Sequence, residues 1–342
     1  MLLELNDQGR IDVRIWHALG REILIRHGVE AELTTVVTDV LVEADKRGVV
    51  THGLTRLPSY VARVHKGLLD PNARPEIVKD GQTLVLLDGH NGFGAVAAVD
   101  AVELATDRAR DHGMCWVSVR NSNHFGMAGY YSHRLAQRGL VGIVMTNASP
   151  AVAAYGGKRA TLGTNPLSIA APAQGEPIVL DMATTTVARG KIRRAKAEGK
   201  TLSPGLALDI DGNPTTDPEA ALKGTLASLG GPKGYGLAVM IDLLSGVVAG
   251  GSILTELRQA TDLSGKAGTC FTIVAADIGR ISDHEEYVTR IEEFRSLIKQ
   301  SGEPGAKIYL PGEIESERAA KAEADGIDVP NDMLESLKTL LS

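Results

Sequence analysis

Two short stretches of this chain carry side chains suited to moving a proton. Asn121-Ser122-Asn123-His124-Phe125-Gly126 gathers a histidine, two amides, a hydroxyl and a glycine into six residues. It follows the apolar run Met114 to Val119, which reads as a buried strand, and α/β enzymes place their chemistry on loops at strand ends. The second stretch is Thr51-His52-Gly53, with Arg56 four residues beyond the histidine. Imidazole exchanges protons near neutral pH. A guanidinium one helical turn along can clamp a carboxylate through two parallel hydrogen bonds. A lone loop histidine is more often a structural hydrogen-bonding group, and a lone arginine a solvated one. Two loops of the same character shift the balance toward chemistry.

The elements that must position these loops are legible from hydrophobic period. Helical spacing covers Ile11 to His27, Glu30 to Arg47 and Arg56 to His65. Pro71 to Pro75 reads as a linker and a domain boundary. Beyond it come a strand over Thr83 to Leu87, a helix over Ala95 to Asp111, the strand Met114 to Val119, a helix over Ala128 to Arg138 and a strand over Val141 to Thr146. Thr161 to Pro172 and Pro177 to Asp181 are strand-like, Thr185 to Gly199 is a basic helix, and Ser203 to Pro218 is a turn-rich loop. Gly234 to Ala249 reads as a buried apolar helix, Thr269 to Ala276 as a strand and His284 to Lys299 as a helix. A short strand over Lys307 to Leu310 and helices over Ser316 to Asp325 and Asn331 to Leu341 close the chain.

The chain has 342 residues, 43% hydrophobic and 23% charged, with 38 glycines and 4% aromatics. That suits an Ala/Val/Gly-rich α/β protein with more than one core-forming unit. A net charge of −6 offers no basic field for nucleic acid. No apolar run reaches the roughly 18 residues of a membrane-spanning helix. The polar stretch Met1 to Arg10 lacks a signal-peptide core. The two cysteines, Cys115 and Cys270, sit in apolar runs and read as buried thiols of a reducing cytoplasm. No metal-ligand spacing stands out: His124 and His133 straddle a loop–helix junction. No Gly-x-Ser-x-Gly elbow marks a hydrolase.

Two glycine-rich stretches invite a nucleotide reading. Gly92-x-Gly94-x-x-Ala97 sits between strand and helix, but the next strand ends at Arg120 rather than at a ribose-binding acid. It reads as a structural turn. Gly231-Pro232-Lys233-Gly234 opens a helix with a lysine beside exposed N–H groups, a plausible anion cradle, though without the spacing of a nucleotide-triphosphate loop.

Eight segments, in order from about residue 30 to residue 330, together resemble the malate/L-lactate dehydrogenase family, which is distinct from the Rossmann-type lactate and malate dehydrogenases. They include Ala44-Asp45-x-Arg47-Gly48 with His52-Gly53 and Arg56, Asn121 to Gly126, Gly163-Thr164-Asn165-Pro166, Leu180-Asp181-Met182-Ala183-Thr184, Gly230 to Gly236 and Leu310-Pro311-Gly312-Glu313-Ile314-Glu315.

The resemblance implies an α/β fold with a mixed, largely antiparallel sheet and a separate helical domain. That domain would span residues 1–74, completed by the C-terminal helices of 316–342, beside a cofactor- and substrate-binding α/β domain over 75–315. It implies a homodimer with the active site near the subunit interface. It also implies an NAD- or NADP-dependent oxidoreductase interconverting a 2-hydroxy acid of the malate, lactate or sulfolactate type and its 2-keto acid. His52 and His124 would serve proton transfer and Arg56 the substrate carboxylate. Ala148, Asp181, Met182, Ala183, Lys233, Gly312, Glu313 and Ile314 would contact the cofactor, with Ala148 acting through backbone. No metal is implied. A dicarboxylate or sulfonate substrate would need a further cation, for which Lys158 and Arg120 are candidates. The alternatives within the family are ureidoglycolate dehydrogenase and cyclic imino acid reductase.

Overall fold

The computed structural model describes residue 6 and residues 9–341, so the stretch read for a signal-peptide core lies mostly outside the described residues. Seven strands form the main sheet in the spatial order Glu76–Asp80, Leu84–Asp88, Met114–Ser122, Thr269–Asp277, Leu140–Thr146, Leu167–Ala171, Ile178–Met182. Leu84–Asp88 and Met114–Ser122 run parallel, joined by the helix Gly94–His112. The other five pairings are antiparallel. The sheet is therefore mixed and largely antiparallel, as the resemblance implied. Thr269–Asp277 comes last in sequence but lies in the middle of the sheet. Its Cys270, Phe271, Ile273 and Val274 are buried, and a strand covered on both faces needs such a near-continuous apolar run.

The amphipathic helices Val13–Arg26 and Ala31–Lys46 turn Trp16, Leu19, Ile23, Leu33, Val37 and Leu41 inward. The closing helices Glu313–Asp325 and Asn331–Lys338 pack in the same region. Lys46 Nζ meets Glu323 at 2.7 Å, and Arg10–Ile11 pairs with Ile327–Asp328. One apolar core runs from Trp16 and Leu41 through Phe93 and Ala98 to Val117 and Phe271. A second, smaller core around Ile192, Leu202, Ala207 and Leu226 belongs to a five-stranded sheet with the helices Arg189–Ala197 and Pro218–Lys223. The sequence reading left this lobe undivided within 75–315.

Several elements differ from the sequence reading. Pro71 to Pro75 is turn and coil, as expected of a linker, but the strand Glu76–Asp80 that starts directly after it has no counterpart in the sequence reading. It is an exposed sheet edge carrying Glu76, Lys79 and Asp80, charges that discourage further strand pairing and mask the strand pattern. Thr161 to Pro172 splits into Ala160–Leu162 in the small sheet and Leu167–Ala171 in the large one. The corner is at Asn165, whose φ is 27°. The basic helix begins only at Arg189, because Thr185 bridges to Ser228 and its hydroxyl donates to the Val187 carbonyl. Ser203 to Pro218 contains a two-residue hairpin, Ala207–Leu208 with Pro214–Thr215, tightened by Asp209 Oδ1 accepting from Asp211 and Asn213 N–H.

Gly234 to Ala249 forms the helix Pro232–Asp242 and then a π turn over Leu243–Val247. It is not buried all round: Met240, Leu243, Val247 and Val248 are exposed. Lys307 to Leu310 is not a strand; the Leu310 N–H is used by the Glu313 carboxylate and Lys307 is ion-paired to Glu317.

Candidate active site

A cavity of about 630 Å³ lies where the helical layer, the C-terminal end of strand Met114–Ser122 and the small lobe meet. It brings His52, Arg56 and His124 together with Ala148, Asp181, Met182, Ala183 and Gly312.

The His52 loop is fastened from beneath. Val50–His52 and Leu54–Arg56 are two 3-10 turns rather than one α-helical turn. Asp45, buried at the end of its helix, accepts from Leu54 N–H at 2.9 Å and from Trp16 Nε1 at 2.8 Å. A Cβ on Gly53 would stand 1.7 Å from Asp45 Oδ1, so only glycine lets the loop close over the carboxylate. Burial pushes the Asp45 carboxyl up to about 6. Thr51 Oγ1 lies 3.0 Å from His52 Nδ1, and the Thr51 carbonyl accepts from Arg56 Nε. His52 is half-buried and lines the cavity. Enclosure, then the charge of Arg56, lowers it to about 3.

The His124 loop leaves its strand through Asn121, at φ 53°. Asn123 holds it by donating to the carbonyls of Gly92 at 2.9 Å and Asn91 at 3.0 Å. The glycine turn that mimics a dinucleotide fingerprint serves the same purpose. A Cβ on Gly94 would lie 2.2 Å from the Asn123 carbonyl and 2.7 Å from that of His124. Neither Gly92 nor Gly94 lines the cavity. Gly94→Ala is therefore expected to lower Tm and kcat together, because overpacking against backbone costs about 1–3 kcal/mol or more. Thermal unfolding and cofactor titration on one sample check it; a loss of cofactor affinity with unchanged Tm and kcat would show a nucleotide-binding turn instead.

His124 Nδ1 lies 2.7 Å from the Tyr60 hydroxyl and 3.3 Å from the Gly126 N–H. A backbone N–H can only donate, so Nδ1 accepts and the neutral ring carries its proton on Nε2. Enclosure, then Arg56 and His52, holds His124 well below the ordinary imidazole range. The two rings are 5.2 Å apart, tilted by 31°. Tyr60 is a site residue that the sequence reading missed. It stands four residues beyond Arg56, a spacing visible in the sequence but ordinary for a helix core.

The lining also holds a carboxylate, Asp181. Asp181 Oδ2 accepts from Gly129 N–H at 2.9 Å, so it caps the helix Ala128–Gln137, not the helix that follows it in sequence. Its carboxylate opens onto the cavity, and removal from bulk solvent pushes it up to about 6. Ala148 N–H is taken by Asn165 Oδ1 at 2.9 Å, and a Cβ on Gly163 would lie 2.2 Å from the Ala148 carbonyl oxygen. The Ala148 N–H is therefore already used within the protein, so a backbone contact from this residue would have to come through its carbonyl. Gly312 sits at φ 91°, and a Cβ there would press on Val179 at 3.0 Å.

Lys233, Glu313 and Ile314 lie outside the cavity lining. Lys233 is exposed, and Glu313 pairs with Lys299 at 2.5 Å. Lys158 and Arg120, the candidate second cations, are also outside; Arg120 binds Asp88 at 3.2 Å. Arg189 and Arg193, which were not singled out, line the cavity instead. Among the described residues no group of three or more His, Cys, Asp or Glu could hold a metal, and no helix is long and apolar enough to cross a membrane.

Two imidazoles 5.2 Å apart beside a guanidinium with no carboxylate within ion-pair distance among the described residues, over a largely antiparallel sheet, suit a hydroxy-acid dehydrogenase of the non-Rossmann kind. The chain belongs to the malate/L-lactate dehydrogenase family, whose pattern it matches over residues 11–338. It is 36% identical over 317 residues to the L-sulfolactate dehydrogenase of Methanothermobacter thermautotrophicus, covering 93% of this chain and 92% of the relative. It is 30% identical over 326 residues to a Delta(1)-pyrroline-2-carboxylate reductase of Burkholderia ambifaria, covering 95% of each. The solved sulfolactate dehydrogenase of Methanocaldococcus jannaschii superposes with a TM-score of 0.91 at 36% identity, covering 96% of this chain and 95% of that one. The chain is thus an oxidoreductase of the 2-hydroxy acid dehydrogenase type, and its dehydrogenase relatives imply a nicotinamide cofactor.

Proposed function

We propose that this protein interconverts a 2-hydroxy acid bearing a second acidic group, of the malate or sulfolactate type, and its 2-oxo acid, with NAD or NADP. The observation that carries the reading is the 5.2 Å pairing of His52 and His124 beside Arg56 on one cavity wall. Arg56 takes the carboxylate. Its Nε is held by the Thr51 carbonyl, which leaves the terminal nitrogens for the fork.

His124, with its proton on Nε2, donates a hydrogen bond to the substrate oxygen. Neutral His52, whose Nδ1 is occupied by Thr51, takes the hydroxyl proton in oxidation and returns it in reduction. The donor set suits a nicotinamide cofactor: the carboxylate of Asp181 accepts from an amide or ribose hydroxyl, and Ala148, Met182, Ala183 and the close-packed Gly312 give a flat apolar wall. When bound, that group supplies or accepts the hydride. Lys233, Glu313 and Ile314 are proposed at its outer reach; Gly234, next to Lys233, packs against the Thr184 carbonyl, one residue from Ala183.

A homodimer is supported by the exposed apolar residues Met240, Leu243, Val247 and Val248, which form a patch that a second copy can cover. A reducing cytoplasm is supported by two buried free thiols. The second reading, a cyclic imino acid reductase, rests on the pyrroline-carboxylate reductase relative. Assays of pyruvate, oxaloacetate, sulfopyruvate, oxalurate and piperideine-2-carboxylate with NADH and NADPH decide between them. The hydroxy-acid reading expects oxaloacetate or sulfopyruvate to lead in kcat/KM; a strong preference for the cyclic imine overturns it.

A further inference from the structure

Six arginines line the cavity: Arg47 pairs with Glu43 and Arg258 with Asp262, while Arg63 spends both terminal nitrogens on the carbonyls of Asp262 and Gly265. Arg56, Arg189 and Arg193 have no carboxylate within ion-pair distance among the described residues. Arg189 and Arg193 are four apart on the helix Arg189–Ala197 and so share a face, an arrangement that sets like charges against each other. The other cations of that helix show the contrast: Arg194 pairs with Glu198 at 2.6 Å and Lys196 approaches Glu219 at 3.8 Å. Arg189 Nη2 donates to the Gly224 carbonyl at 3.1 Å, while its Nε is buried with no partner. Arg193 acts on both Arg56 and Arg189, so the three charges form one field.

The helix also touches the catalytic loop. A Cβ on Gly190 would lie 3.3 Å from the Thr51 methyl. The cluster therefore sits at the His52–Arg56 end of the cavity, and the acidic lining residues, Asp181 and Glu315, act on each other and on none of the three arginines. Arg56 is matched by one carboxylate, which leaves two cations unneutralised.

The geometry points to a second anion subsite built by Arg193 with Arg189: the small lobe brings these side chains to the far acidic group of the substrate, and Arg193 is the residue that separates dianionic from monoanionic 2-oxo acids. The subsite rests on the proposed reaction for its substrate, but its charge logic can be tested without turnover. With NADH present, calorimetric titration of malonate, an inert dianion, is compared with acetate. The wild type is expected to bind malonate at least about tenfold more tightly, as one added charge-assisted hydrogen bond allows. Arg193→Gln is expected to remove most of that preference while leaving acetate and NADH affinity unchanged. In turnover, the kcat/KM ratio of oxaloacetate to pyruvate should fall by a similar factor.

Arg193 stands on an exposed helix face, so the variant is expected to keep the wild-type Tm. An unchanged malonate-to-acetate ratio overturns the proposal. So does a loss of NADPH or NADH affinity with the ratio intact, which would assign the arginines to a cofactor phosphate. Arg193-dependent malonate binding in a protein that reduces none of the 2-oxo acids would uphold the subsite and sink the proposed reaction instead.

Discussion

His52→Ala and His124→Ala are each expected to lower kcat by on the order of 10²–10⁴ while cofactor affinity changes little. The two losses should differ in their pH dependence. Enclosure and Arg56 hold His52 at about 3 in the free protein, so its neutral form, the base, is present throughout the working range. kcat/KM for hydroxy-acid oxidation should therefore be flat above about pH 5. Reduction needs the protonated ring, whose fraction falls about tenfold per pH unit above its pKa, so kcat/KM for reduction should decline as pH rises. A carboxylate bound at Arg56 offsets the charge that depresses His52, which moves the kcat profile to higher pH than that of kcat/KM. His52→Ala should abolish the decline in reduction, because the titrating group is gone. His124→Ala should keep it, since that ring supplies a hydrogen bond and not the titrating proton. Steady-state pH profiles in both directions measure this, and normal turnover by both variants would refute proton handling by either loop.

Much of this site was legible because its parts are unusual in sequence. Two polar loops with histidines, one leaving an apolar strand, stand out from helical and strand periods. The structure brings His52, His124 and Arg56 to one wall of one cavity, from positions 72 residues apart for the histidines. Arg189 and Arg193 were not legible, because a basic helix at this spacing has the pattern of a solvated face. What distinguishes them is the absence of acidic partners, while Arg194 and Lys196 have theirs, and partners are a property of the fold. Lys158 and Arg120 lie outside the cavity lining for the converse reason: a cation near a motif in sequence can point elsewhere, as Arg120 does toward Asp88.

The fold was legible to a similar degree and for similar reasons. Long periodic helices such as Ala31–Lys46 and the β-branched run Thr269–Asp277 carry their own signal. The edge strand Glu76–Asp80 and the two-residue strands of the small lobe do not. They bury little apolar surface and exist because a neighbour supplies the hydrogen bonds. The glycine turn at Gly92–Ala97 reads in the sequence as a structural turn, but its purpose cannot be read there. Only the close approach of Gly94 to the Asn123 and His124 carbonyls shows that the glycine seats the His124 loop.

Arg56→Lys is expected to raise KM for a 2-oxo acid by about tenfold or more, with a smaller effect on cofactor binding, because a charge-assisted hydrogen bond contributes roughly 1.5–3 kcal/mol. The reason is geometric. Arg56 Nε is spent on the Thr51 carbonyl, which fixes the plane of the guanidinium and the histidine loop relative to each other. Lysine keeps the charge but has no planar fork and cannot hold the carbonyl and a carboxylate in the same arrangement. Arg56→Met separates the two contributions. Both variants lose the fork, so both should raise KM. Only the methionine removes the positive charge that lowers His52 and His124, so only there should the pKa of His52 rise toward its ordinary value and the decline in reduction rate begin at higher pH. A matched pair of pH profiles measures this. If Arg56→Lys leaves KM unchanged, the carboxylate is held elsewhere. If the two variants share one pH profile, enclosure alone sets the proton affinity of the histidines, and the arginine acts on the substrate and not on the base.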